Sequence, residues 1–182
     1  MREVGLNRRP EVDAAIADVD FSANEYQIEF ETDAGRVVLD LWPEVAPGHC
    51  RNLIGLTDIG YYDGILFHRV IPGFVIQAGC PEGRGTGGPG YTIDQEFNDR
   101  LHEAGVVSMA RTQDPNSAGS QFFICMGRVP NLDREYTAFG VTADEESLKN
   151  ALSIGDVQTG AGDRPVEDVA IRSGRVLVQP KS

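Results

Sequence analysis

A chain of 182 residues is long enough for one well-buried domain and short for two. Its formal net charge of −12 and the lack of any basic run argue against nucleic-acid binding, which depends largely on Lys and Arg. No stretch of about 18 apolar residues occurs, so no membrane-spanning helix is expected.

The opening residues 1–10 lack an apolar signal core, so a secretory leader is not expected. Cys50, Cys80 and Cys125 are odd in number and widely spaced, unlike a disulfide framework. A reducing, cytoplasmic setting follows as the expectation.

Residues 1–25 are rich in acids and small residues and read as an N-terminal extension. Within it Val12, Ala15, Ile16 and Val19 follow Pro10 at helical spacing, which predicts a short amphipathic helix that docks on the domain or stays mobile. From Tyr26 the pattern changes to alternation. Gln27–Glu31 and Arg36–Trp42 flank an Asp33-Ala34-Gly35 turn and predict a hairpin. A helix begins near Pro47, buries Cys50, Leu53, Ile54 and Thr57, and stops at Gly60.

Phe67–Gly79 reads as two short strands around a Pro72-Gly73 turn, and Gly79–Gly90 as a long surface loop. Further strands are expected at Gly105–Ala110, Gln121–Met126 and Ala138–Val141. Thr142 and Glu145 have capping-box spacing ahead of a second helix that ends at Gly155. The chain then predicts a last hairpin, Val169–Arg172 and Arg175–Val178, turning at Ser173-Gly174. Many short strands with no βαβ alternation favour a closed antiparallel barrel, because closure removes sheet edges. Residues 26–180 form this single domain.

Sites of covalent chemistry are hard to find. Gly83-x-Gly85-x-x-Gly88 has the letters of a dinucleotide fingerprint, but Pro89-Gly90 follows where a helix must open. No phosphate-binding loop occurs, His102-Glu103 lacks the second histidine of a zinc helix, and His49 and Cys50 diverge on their helix, so no metal site is expected. Three histidines without a local signature leave a Ser-His-Asp triad open. What remains is Arg69 among apolar and uncharged residues. Strand alternation gives Arg69 and Gln77 the same facing if the hairpin folds back. Arg69 is then either a rim residue whose stem lies on apolar surface or the centre of a polarising site. Such a site can bind a peptide, or stabilise a transition state that differs from its ground state in hydrogen bonding and shape.

Phe67-His68-Arg69-Val70-Ile71-Pro72-Gly73-Phe74, Gln77, Gly119-Ser120-Gln121-Phe122-Phe123-Ile124 and Leu132-Asp133 through Phe139-Gly140 resemble the cyclophilin family of peptidyl-prolyl cis-trans isomerases. The resemblance runs from about Tyr26 to Val178. It implies a mainly β fold, an eight-stranded antiparallel barrel closed by two helices, with no cofactor or metal. It also implies a rotamase or folding-chaperone role on proline-containing peptides and flexible protein segments. Arg69 takes the catalytic position; Phe74, Phe123 and Leu132 the proline pocket; Gln77 and Gln121 groove positions; Ala110 and Arg111 the backbone-pairing segment. Val75 stands where Met is usual, Tyr136 where His is common, and Asn131 where many members carry Trp. Loss of the indole implies weaker binding of cyclosporin-type inhibitors. A monomer is expected. Two other readings are a non-catalytic module that binds proline peptides, and a small-molecule carrier barrel, which needs a hollow interior.

Overall fold

The computed structural model describes residues 5–182. Its strands are β1 (Asn24–Thr32), β2 (Gly35–Leu41), β3 (Arg69–Ile71), β4 (Val75–Ala78), β5 (Val106–Met109), β6 (Phe122–Cys125), β7 (Ala138–Thr142) and β8 (Ile171–Pro180). They form one eight-stranded antiparallel sheet in the order β3-β4-β6-β5-β7-β2-β1-β8. The helices are α1 (Arg9–Ala15), α2 (Pro47–Asp58) and α3 (Glu145–Gly155). Three helices therefore accompany the sheet: the two expected of the domain, and α1 where the spacing after Pro10 predicts a short amphipathic helix.

The sheet curls around a filled core. Phe30 and Phe122 stack at 5.7 Å, and the Tyr62 ring meets both edge-on at 5.5 Å. Tyr62, Phe30, Phe122 and Phe139 are fully buried among Ile28, Leu39, Ile76 and Ile124. Among the described residues these packed rings fill the interior where a carrier needs a hollow, which speaks against the carrier reading.

Strand parity explains how one sheet serves two clusters. Ile76, Ala78, Phe122 and Ile124 enter the main core, while Val75, Phe123 and Cys125 join Val129 and Leu132 on the other face. β4 and β6 are thus covered on both sides, which is why Gln121–Met126 reads as an apolar run rather than an alternating one.

Local rules decide the element ends, with two corrections. Ser173-Gly174 does not turn a hairpin: β8 is one continuous strand in which Phe30 pairs with Gly174 and Glu31 with Ser173. A Cβ on Gly174 would come to 3.0 Å from the Phe30 ring, so this glycine permits close approach instead of reversal. Helix α3 is capped by Asp144, whose Oδ1 accepts from the Ser147 N–H at 2.7 Å. Thr142 cannot cap because it is paired with Leu39 in β7. Helix α3 ends at Gly155 as expected, and there the missing side chain permits close packing, since a Cβ would sit 2.7 Å from Met126 Sδ.

Helix α2 has no side-chain cap of its own, and the distant Glu96 serves it, accepting from the N–H groups of Gly48 at 2.9 Å and His49 at 2.8 Å. Helix α1 packs on α2 through the fully buried Val12. Gly55 admits it, since a Cβ there would lie 2.7 Å from Val12 Cγ1. All three cysteines are free and buried. Among the described residues no helix is long and apolar enough to cross a membrane.

Candidate active site

The hairpin β3–β4 sets the site. Pro72 fixes one turn position, Gly73 supplies the positive φ of 70°, and the Phe74 N–H returns to the Ile71 carbonyl at 3.0 Å. This register places Arg69 directly opposite Gln77. Their side chains meet, Arg69 Nη1 donating to Gln77 Oε1 at 3.4 Å. Gln77 Nε2 donates in turn to Gln121 Oε1 at 3.1 Å, and Gln121 Nε2 to the carbonyls of Gly85 at 3.0 Å and Gly87 at 2.9 Å. A chain of neutral amides therefore ties the arginine to the glycine-rich loop.

Nine of the ten predicted residues line one cavity of about 590 Å3: Arg69, Phe74, Val75, Gln77, Ala110, Arg111, Phe123, Leu132 and Tyr136. Gln121 lies just outside, on the wall of an adjoining cavity of about 910 Å3 that shares Gln77, Gly85, Ala110 and Arg111 with the first. The glycine-rich loop thus stands between the two hollows. Asn131 is exposed on the 3-10 turn Pro130–Leu132 and is absent from the lining of the cavity.

The apolar wall is held from behind. Tyr136 meets Phe123 edge-on at 5.7 Å, and the Arg111 guanidinium covers the Tyr136 ring at 4.6 Å. Arg111 is fixed there by donating Nε and Nη2 to the Glu135 carbonyl, at 3.0 and 2.6 Å. Its side chain, not only its backbone, shapes the pocket. Sequence reading did not anticipate this, because the two residues are distant along the chain.

Behind Phe123 lies a second feature that only the fold assembles. Asp133 Oδ1 is 3.1 Å from His102 Nδ1, and His102 Nε2 is 2.9 Å from Ser108 Oγ. The letters are those of a Ser-His-Asp triad. Ser108 and His102 have no exposed surface, however, and the imidazole stacks on Phe123 at 6.2 Å. A sealed hydroxyl cannot attack a substrate, so the chain of contacts supports the Phe123 ring. Arg128 donates to the Asp133 carboxylate at 2.6 Å and, with His102, holds its pKa down to about 2.

His68 lines the cavity beside Arg69, and its Nδ1 has no hydrogen-bond partner among the described residues. Burial first, then the neighbouring Arg164 and Arg69, lower its pKa, so the ring is neutral near pH 7. Among the described residues no cluster of three His, Cys, Asp or Glu is placed to hold a metal. The cavity offers a permanent cation, amide donors and an aromatic clamp.

A sequence model of the cyclophilin type peptidyl-prolyl cis-trans isomerase family matches residues 27–176. The chain belongs to this family. A peptidyl-prolyl cis-trans isomerase of Synechococcus elongatus is 50% identical to this cyclophilin over 128 residues, 70% of this chain and 88% of that one. Peptidyl-prolyl cis-trans isomerase B of Bacillus subtilis is 51% identical, covering 69% and 88%. A crystal structure of a Cryptosporidium parvum cyclophilin type isomerase, obtained in the presence of the dipeptide Ala-Pro, superimposes with a TM-score of 0.77 at 30% identity, over 83% of this chain and 98% of that one. The family match leaves α1 outside the cyclophilin region.

Proposed function

We infer that this cyclophilin catalyses cis–trans isomerisation of Xaa-Pro bonds in peptides and folding proteins, with Arg69 as the catalytic residue. The observation that carries the assignment of Arg69 is its position in the cavity, a cation held by Gln77 beside Phe74, Phe123, Leu132 and Tyr136.

Rotation about an amide meets a barrier of about 18–20 kcal/mol because the planar form is resonance-stabilised. At the twisted geometry the nitrogen lone pair leaves conjugation and becomes a hydrogen-bond acceptor. Arg69 has five N–H donors, one of them directed at Gln77, and donates to that nitrogen. The interaction is nearly absent from the planar ground state, so it lowers the barrier instead of only tightening binding. Phe74, Val75, Phe123, Leu132 and Tyr136 clamp the proline ring. Ala110 and Arg111 hold the residue before it, and Gln77 and Gln121 orient the peptide backbone. No bond is made or broken, and neither nucleophile nor base is required.

Arg69→Ala tests this in a protease-coupled isomerisation assay. Loss of one preorganised donor of this kind reduces rate by roughly 10²–10³-fold. Equal rates for wild type and variant would remove Arg69 from the mechanism. A non-catalytic proline-peptide module on the same fold is the second reading, favoured by Asn131 in place of an indole. It predicts peptide binding with no rate enhancement by wild type in the same assay. Asn131 also underlies an expected weakening of cyclosporin-type inhibitor binding.

Three further readings accompany the assignment. The sheet is taken as a closed barrel, supported by the Leu66–Ala170 bridge and the Phe67 N–H to Val169 carbonyl bond of 2.8 Å, which join the segments leading into β3 and β8. Residues 1–25 are taken as an extension to a domain spanning 26–180. The protein is taken as a cytoplasmic monomer.

A further inference from the structure

The cavity carries a charge pattern opposite to that of the chain. The sequence has a formal net charge of −12. Yet Arg69, Arg84, Arg111 and Arg164 all line the cavity, and no Asp or Glu does so among the described residues. These cations arrive from separate segments: the start of β3, the glycine-rich loop, the end of β5 and the turn after α3.

Their partners leave much of that charge in place. Arg69 donates to the Gln77 amide, and Arg111 to the carbonyls of Glu135 and Thr112. These acceptors are uncharged. Arg164 is pinned at the wall by a bond of 2.6 Å to the Gly83 carbonyl, and its nearest carboxylate, Asp168, stands at 3.7 Å with both side chains well exposed. Arg84 pairs with Glu82. Charges clustered on the low-dielectric walls of a cleft focus their field into it. The lowering of the His68 pKa, to which Arg164 and Arg69 add after burial, agrees with a positive field at this wall.

We propose that this site selects Xaa-Pro segments bearing a carboxylate side chain directly beside the proline. The proposal rests on the isomerase reading above and names the substrate class of that same site. A lysine at the same place would meet Arg69, Arg111 and Arg164 with like charge, so discrimination combines attraction of the acid with repulsion of the base.

The test uses peptides with Glu, Lys or Ala placed immediately before or immediately after the proline, with exchange followed by NMR. Glu is expected to exceed Lys by about five- to twenty-fold in kcat/KM in at least one position, as a Coulombic interaction a few ångströms long at intermediate dielectric allows. The ratio should fall toward one in 1 M salt, where the Debye length is about 3 Å. It should at least halve in Arg164→Gln, or in Arg84→Gln if the first variant loses thermal stability. A Glu/Lys ratio within two-fold of one in both positions, or one that salt leaves unmoved, overturns the proposal. Turnover of the Ala peptide would then show the isomerase reading intact. Should no peptide be turned over, that reading fails by itself, and the ratio of dissociation constants for the same peptides, by fluorescence anisotropy, decides the charge preference separately.

Discussion

At the scale of single residues, the site depends on a few side chains whose partners are specific. Gln121 joins Gln77 to two loop carbonyls, so Gln121→Leu releases the loop and leaves the Gln77 amide without its acceptor. Each lost bond of this type is worth about 1 kcal/mol. We expect kcat/KM to fall several-fold, mainly through KM, with Tm lowered by several degrees in a thermal melt, at about 2–4 °C per kcal/mol for a chain of this size. The titration of His68 acts on stability. Burial, chiefly, puts its folded pKa below the unfolded value near 6.5, and His102 is lowered by burial too, partly opposed by Asp133. The unfolded chain therefore takes up these protons first. Their stabilisation is full above about pH 6.5 and is lost as pH falls from there through the lowered folded values. Melting at pH 5 should give a lower Tm than at pH 7.5, and His68→Gln should shrink the difference. A protein whose Tm did not change over that interval would contradict the burial argument. Catalysis by contrast should be nearly flat from about pH 7 to 8, because arginine stays charged throughout.

At the scale of elements, caps and close approaches can be told apart by substitution. Asp144→Ala removes the side-chain bond to Ser147 and should cost about 1 kcal/mol in a denaturant titration. Thr142→Ala, which the sequence spacing alone would mark as the more damaging change, should cost less at the helix. Gly174→Ala sets the pairing of β1 and β8 against the Phe30 ring. A Cβ at 3.0 Å forces either the ring or the strand to move, and we expect a loss of about 1–3 kcal/mol. A stabilised Gly174→Ala protein would show that the glycine is not there for close approach. The remote cap of α2 by Glu96 belongs to this scale as well: it joins a helix to a segment distant in sequence and so cannot be read from local spacing.

At the scale of the whole molecule, the core and the site are separable because β4 and β6 present one face to each. Changes to the main core should alter stability more than kinetics. Helix α1 offers the cleanest case. Val12→Ala removes a fully buried side chain at the contact with α2 and should cost about 1–3 kcal/mol. Because Val12 lies away from the cavity, kcat/KM of the folded variant should stay within two-fold of wild type in the isomerisation assay. A large loss of activity at unchanged stability would instead connect α1 to the groove.

The strands, the helices and the family membership were legible from order and spacing along the chain. Alternation, turn glycines and prolines act over a few residues, and Arg69 opposite Gln77 follows from the length of one turn. Chain-distant contacts were not legible. Ser173-Gly174 has the letters of a turn, yet the Phe30 ring across the sheet makes it a strand. The buried Asp133–His102–Ser108 chain and the Arg111–Tyr136 contact join residues that no period links. The reversal of charge at the cavity has the same origin. Composition makes this chain acidic, and only the fold gathers arginines from four segments around one cavity that no carboxylate lines among the described residues. Local sequence sets which backbone shapes are accessible; the field and the packing at a point sum over whatever the tertiary structure brings there.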